Sequence, residues 1–207
     1  MTKKAVVIGY SGHAYVLIDV LREVGYTVAG YFEREEKSFN PYNLPYLGQE
    51  EDPQSLAGFL GKAAFVGIGN NLIRSKVFGT LNANNILTPS VVHPSSVISE
   101  SVTLGIATLV MPGAIVNSLS KIGKGVICNT SSVVEHECII ADFVHIAPGA
   151  VLAGNVSVGE NSFIGANAVV KEGVKIGANA IIGAGSVILK DVADGVIIAG
   201  NPAKRIL

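Results

Sequence analysis

From Val92 to Ile188 every sixth residue is aliphatic or cysteine: Val92, Ile98, Leu104, Val110, Val116, Ile122, Cys128, Val134, Ile140, Ile146, Leu152, Val158, Ile164, Val170, Ile176, Ile182 and Ile188. The residue four places further on is small or β-branched each time, from Ser96 through Ala114, Ser132, Cys138 and Ala168 to Val192. One large and one small inward position per hexad is the pattern of a parallel β-helix, in which each hexad forms a short strand and three hexads close one triangular coil. Glycines such as Gly105, Gly123, Gly159 and Gly177 follow the aliphatic positions, where the chain must turn. The phase holds to residue 193 without an insertion, so every coil is expected to have the same length.

Before residue 89 the pattern changes. Ala5–Ile8 is an apolar, β-branched run, then comes the turn Gly9-Tyr10-Ser11-Gly12-His13, and Ala14 to Leu21 repeats at helical spacing. Strands over 27–32 and 63–68, a weak helix over 53–60 and a helix over 72–81 continue the alternation, which predicts a parallel α/β sheet over residues 1–88 and the β-helix over 89–207. Ligands of such sheets sit at the carboxyl ends of the strands, beside helix N-termini whose N–H groups suit phosphate. Ser11-Gly12-His13 falls there, and so does Gly67-Ile68-Gly69-Asn70-Asn71. Two readings stand for each stretch: a phosphate-binding turn, or a tight turn and a helix start capped by asparagine. The first turn is not a hydrolase nucleophile elbow, because His13 takes the place of that motif's final glycine.

Composition narrows the partners. The chain has 207 residues, 49% hydrophobic and 15% charged, with a formal net charge of -1 and no basic cluster, which speaks against nucleic acid or a membrane surface as partner. No apolar run reaches the ~18 residues of a membrane span, and no secretory cleavage pattern follows Met1. A soluble, cytoplasmic protein is expected. Cys128 and Cys138 both fall on inward positions and read as small core residues without chemistry of their own.

Of the four histidines, His136 stands out. It lies in Val134-Glu135-His136-Glu137, two places after an inward aliphatic, so its ring is expected outside the core near a corner, with a carboxylate on each side. A neighbouring carboxylate makes an imidazole a better base and can fix its tautomer. One coil further on is Gly154, which would stack over His136 at about the ~4.8 Å strand spacing and leave a bare N–H for a developing oxyanion. The other reading is a surface histidine between solubilising charges, with Gly154 a plain corner glycine. His93, His136 and His145 also raise a metal hydratase as rival, although the spacing of nine between the last two departs from the ligand pairs of that class.

Five stretches together resemble the bacterial UDP-4-amino-sugar N-acetyltransferases, within the broader family that includes sialic-acid O-acetyltransferases and perosamine N-acetyltransferases. They are Gly9 to His13, Ile68 to Arg74, Asn129 to Cys138, Gly149 to Asn155 and Gly200 to Arg205. The resemblance implies a Rossmann-like N-terminal domain, a left-handed coil and a homotrimer. It implies His136 as general base, Glu137 as the group that orients it, and acetyl-CoA as co-substrate, lying along the β-helix between two subunits against His145, Gly154, Ala166 and Ala184. Ser11, Gly12, His13 and Gly69 would hold a UDP-linked 4-amino sugar. Glu33-Arg34 replaces the two aspartates of the relatives after the second strand. The expected reaction is acetylation of the sugar's C4 amine, without a metal. The rivals are an O-acetyltransferase and a non-catalytic solenoid that binds a nucleotide sugar.

Overall fold

The computed structural model describes residues 3–59 and 61–206. Two compact units divide at Val91 and Val92. In the first, β1 (Lys3–Ile8), α1 (Gly12–Glu23), β2 (Tyr26–Phe32), α2 (Pro53–Ala57), β3 (Ala63–Val66) and α3 (Asn71–Ala83) alternate. The strands form a parallel sheet of order β2-β1-β3. Its core joins Val6, Ile8 and Phe32 of the strands to Val77 and Leu81 of α3. α1 buries Ala14, Leu17, Ile18 and Leu21, the stripe that its spacing predicts. α2 is shorter than expected and gives way to Gly58; Leu60, where the predicted helix ended, lies outside the described residues, as do Met1, Thr2 and Leu207. β3 stops at Val66 rather than 68. Gly67 then packs so closely on α1 that a Cβ there would lie 2.7 Å from the Ala14 Cβ.

The second unit is a three-faced parallel solenoid. Two-residue strands stack coil on coil, as in Ile127↔His145↔Phe163 on the first face, Val133↔Val151↔Val169 on the second and Ile139↔Ser157↔Lys175 on the third. The ladder bonds run between coils, for example from Ile127 N–H to Val144 O at 3.0 Å and from Val133 N–H to Ala150 O at 2.9 Å. Inward residues behave as the hexad pattern predicts: Val110, Val116, Cys128, Val134, Ile146, Leu152, Ile164 and Val170 are fully buried, and so are the small residues Thr108, Ala114, Ser120, Ser132, Cys138, Ala150 and Ala168. Val92 instead remains exposed, and Ile98 and Leu104 are only partly covered.

The uniform phase fails at the last coil. Val192, expected at a small inward position, pairs with Ile176, and Ile198 pairs with Ile182, so this coil is two residues shorter than the others. Asp191 makes the shortcut tolerable, because its Oδ1 accepts the Lys175 N–H at 2.8 Å in place of a ladder carbonyl.

Buried hydroxyls inside the prism differ in what they bond. Ser162 Oγ donates to Gly177 O at 2.7 Å and accepts from Ala180 N–H at 2.9 Å, whereas Ser132 Oγ has no hydrogen-bond partner among the described residues. Removing the Ser132 hydroxyl deletes a desolvated group without a partner, whereas removing that of Ser162 orphans two backbone groups. In chemical denaturation Ser132→Ala should therefore gain about 1 kcal/mol and Ser162→Ala should lose roughly 1–3 kcal/mol.

Candidate active site

His136 lies on the edge between the second and third faces, in the corner between the strands Val133–Val134 and Ile139–Ile140. Its side chain is 53% exposed, so the ring stands outside the prism. Nδ1 lies 3.1 Å from Glu137 Oε2, and with Nδ1–H donating, the lone pair of Nε2 is left facing outward. Glu137 reaches this place from a left-handed backbone, φ 60°, which the corner imposes. One coil on, Gly154 lies under the ring. A Cβ at Gly154 would be 2.6 Å from His136 Nε2, so no residue with a side chain fits while the imidazole keeps its place. Asn155 N–H donates to His136 O at 2.8 Å and ties the two corners together.

Ala166 and Ala184 occupy a different edge, between the first and second faces. They stack directly, with Gly185 N–H donating to Ala166 O at 2.8 Å. His145 belongs to the first face, in register with Ile127 and Phe163. It is buried, with its ring edge-on to Phe163 and Nε2 3.0 Å from Asn129 Nδ2. The structure thus gathers His136, Glu137 and Gly154 on one edge of the second face and Ala166 and Ala184 on the other. His93 hydrogen-bonds Ser95 instead of joining the other histidines. Among the described residues no group of three His, Cys, Asp or Glu side chains is placed to hold a metal ion.

In the N-terminal unit a cavity of about 460 Å³ opens at the carboxyl ends of the strands. Ser11, Glu33, Arg34 and Gly69 line it, as do Gly9, Gly67, Ile68 and Asn70, while Gly12 and His13 fall outside its lining, on the first turn of α1. Ser11 is the N-cap of α1, yet its hydroxyl makes no cap bond, which leaves it to the cavity. Asn70 does cap α3, accepting the Ile73 N–H at 3.0 Å, so the capping reading of that stretch holds alongside the cavity-lining one. Glu33 is committed locally: Oε2 accepts the Tyr10 N–H at 3.2 Å and Oε1 the Arg34 N–H at 3.1 Å.

Several cavity residues gave no signal in the sequence. Glu50, Glu51 and Lys76 border it, with Lys76 and Glu51 2.8 Å apart. Arg74 is 1% exposed and donates to Ile68 O at 3.2 Å, Gly69 O at 3.1 Å and Asn71 Oδ1 at 2.9 Å. A charged residue in phase with the buried Val77, Phe78 and Leu81 was the available clue. Burial lowers the Arg74 pKa to about 9. Burial, and then the Arg74 charge, lower that of His13 to about 4, which makes it a neutral imidazole near pH 7.

A solenoid of hexads with an outward histidine, preceded by a small α/β unit, is the arrangement of a hexapeptide-repeat transferase. Residues 4–81 match the PglD N-terminal domain, and residues 155–190 match the bacterial transferase hexapeptide repeats. The acetyltransferase domain of PglB from Neisseria gonorrhoeae, solved with acetyl coenzyme A, is 32% identical and covers all of both chains with a TM-score of 0.90. PerB from Caulobacter crescentus, solved with CoA and GDP-perosamine, is 39% identical over 98% of this chain and 96% of its own, with a TM-score of 0.91. GDP-perosamine N-acetyltransferase of Escherichia coli O157:H7 is 36% identical over 107 residues, 52% of this chain and 48% of that protein, so the match spans about half of that relative. The chain belongs to the family of hexapeptide-repeat, acetyl-CoA-dependent sugar N-acetyltransferases, with an N-terminal domain of the PglD type and a left-handed β-helix. None of the described helices is long and apolar enough to cross a membrane.

The lowered pKa of His13 sets a sign for stability against pH. The unfolded chain takes up a proton at the ordinary value of 6.5 and the folded chain only near 4, so the contribution is intact above pH 6.5 and lost as pH falls towards 4. His13→Gln should therefore flatten the pH dependence of the unfolding equilibrium by up to about tenfold per pH unit in that window, with no change above it. Urea titrations at a series of pH values measure this.

Proposed function

We propose that this chain transfers acetyl from acetyl-CoA to the C4 amine of a nucleotide-linked deoxyamino sugar, with His136 as general base. The observation that carries the reading is the imidazole seated over Gly154 with Nδ1 bound to Glu137. The amine attacks the thioester carbonyl, Nε2 takes the proton the amine loses, and the CoA thiolate leaves as the C–S bond breaks. The Gly154 N–H would meet the negative charge that develops on the carbonyl oxygen. Holding amine and thioester in line supplies most of the acceleration. Ser11, Gly69 and the loop around it, with His13 and Gly12 on the adjoining helix turn, are assigned to the nucleotide sugar. His145, Ala166 and Ala184 are assigned to acetyl-CoA, whose use as acyl donor fits a cytoplasmic reaction. Uridine is the nucleoside that the sequence resemblance implies, while the relatives named for GDP-perosamine favour guanosine, and Arg34, Glu50 and Glu51 border the cavity where the base would be chosen.

The second face supports a homotrimer. Its outward residues are Val97, Ile115, Val133, Val151, Val169 and Val187, and Val97 and Val169 are exposed in the single chain. A continuous apolar row on a sheet face is covered at low cost by copies of itself. Three prisms turning this face to a three-fold axis would bring the His136 edge of one beside the Ala166 and Ala184 edge of the next, completing from two chains what one chain divides between two edges.

His136→Ala should lower kcat by about 10²–10⁴-fold with little change in KM, read by thiol release from acetyl-CoA across UDP- and GDP-linked amino and hydroxy sugars. Turnover near that of the wild type would end the assignment. Val169→Glu should yield monomers in sedimentation and lose activity with His136 intact; an active monomer would contradict the shared site.

A further inference from the structure

We propose that Cys138, read from its sequence position as core filler, is a positioning residue that aims the Gly154 N–H at the reacting carbonyl, with Ser120 doing the same for the His136 corner one coil below. The proposal rests on the acetyl-transfer reading and deepens it.

In the ordinary corner of this edge, the N–H of the residue that enters the next strand closes the turn onto the carbonyl three residues back. Val102 bonds Ser99 O at 3.1 Å, Ser120 bonds Asn117 O at 3.4 Å and Val174 bonds Lys171 O at 3.3 Å. The two corners of the proposed site lack this closure. Glu135 O takes the Ser120 hydroxyl at 2.7 Å, and the Cys138 N–H donates to that same Oγ at 3.1 Å. One coil on, Ala153 O takes the Cys138 thiol at 3.2 Å. Ser120 and Cys138 both point into the prism and are fully buried, so each draws its carbonyl inward. The Ala153–Gly154 peptide is trans, which sets its N–H opposite its C=O, so the Gly154 N–H faces outward beside the His136 ring. Burial raises the Cys138 pKa and keeps it a thiol, the form that can donate.

The fold itself does not need a donor here, since the same column carries Val102, Val156 and Val174. Cys138→Val should thus fold, restore the ordinary closure and turn the peptide away. Its expected signature is a kcat lower by about ten- to a hundredfold, less than outright loss of an oxyanion donor, with KM for acetyl-CoA and the thermal midpoint close to wild type. Cys138→Ser keeps a donor and should recover most of the turnover. Ser162 forms the same bracket on a different edge, from Gly177 O to Ala180 N–H, so Ser162→Ala should lose stability and keep kcat. Cys138→Val with turnover within about twofold of wild type, or Ser162→Ala with an equal loss of kcat, overturns the proposal. If His136→Ala loses turnover while Cys138→Val stays within about twofold of wild type, only this inference falls; if the wild-type chain transfers no acetyl to any amino sugar, both readings fall.

Discussion

The amide ladder between successive coils is the constraint on which the rest of the solenoid depends. Each strand bonds the coils above and below in fixed parallel register, so residues at matching places in consecutive coils lie about 4.8 Å apart. That distance exceeds the thickness of an aromatic ring by little. An imidazole can lean across the next coil only where that coil has no side chain, which is why His136 and Gly154 form one unit. The same register keeps each edge straight. His136 and the alanine pair are both ordered, yet they sit on the two edges that flank the valine-rich face, and no bending of one prism brings them together. In the proposed homotrimer, covering that face with a second copy would meet two needs at once: it would remove apolar surface from water and supply the second edge.

The solenoid was legible because its two inward columns answer to one test, burial, and nearly every residue on them passes it. The misreading at the last coil has a definite cause. Valine fits both the large and the small inward position, so Val192 satisfied the hexad count while the backbone had already dropped two residues. The bond from Lys175 N–H to the Asp191 carboxylate closes the shortcut, and no periodicity encodes it. Cys138 escaped for a related reason. It is as small and apolar as its column requires, and its bond to Ala153 O depends on a carbonyl whose own turn closure is missing.

In the N-terminal unit the alternation of strands and helices could be read, and with it the two turns at the carboxyl ends of β1 and β3. The rest of the cavity wall could not. Glu50 and Glu51 come from a segment without regular spacing, and Lys76 lies on the polar side of α3, where charged residues are ordinary. Gly12 and His13, chosen for their place in the turn, are displaced from the cavity lining because α1 starts at Gly12 and takes His13 into its first turn.

In both units buried side-chain donors hold backbone carbonyls from behind, but with different chemistry. In the α/β unit the holder is Arg74, a guanidinium that binds the Ile68 and Gly69 carbonyls and keeps its charge beneath the loop. In the solenoid the holders are a hydroxyl and a thiol, Ser120 and Cys138. The difference follows from what each loop would meet. A diphosphate carries permanent negative charge, so a buried cation behind its donors favours the bound state throughout and its desolvation cost is recovered on binding. A thioester carbonyl is neutral until attacked. A fixed cation beneath Gly154 would lower the basicity of the imidazole above it, opposing the proton transfer it was meant to assist, whereas neutral donors orient the peptide and leave His136 able to accept a proton.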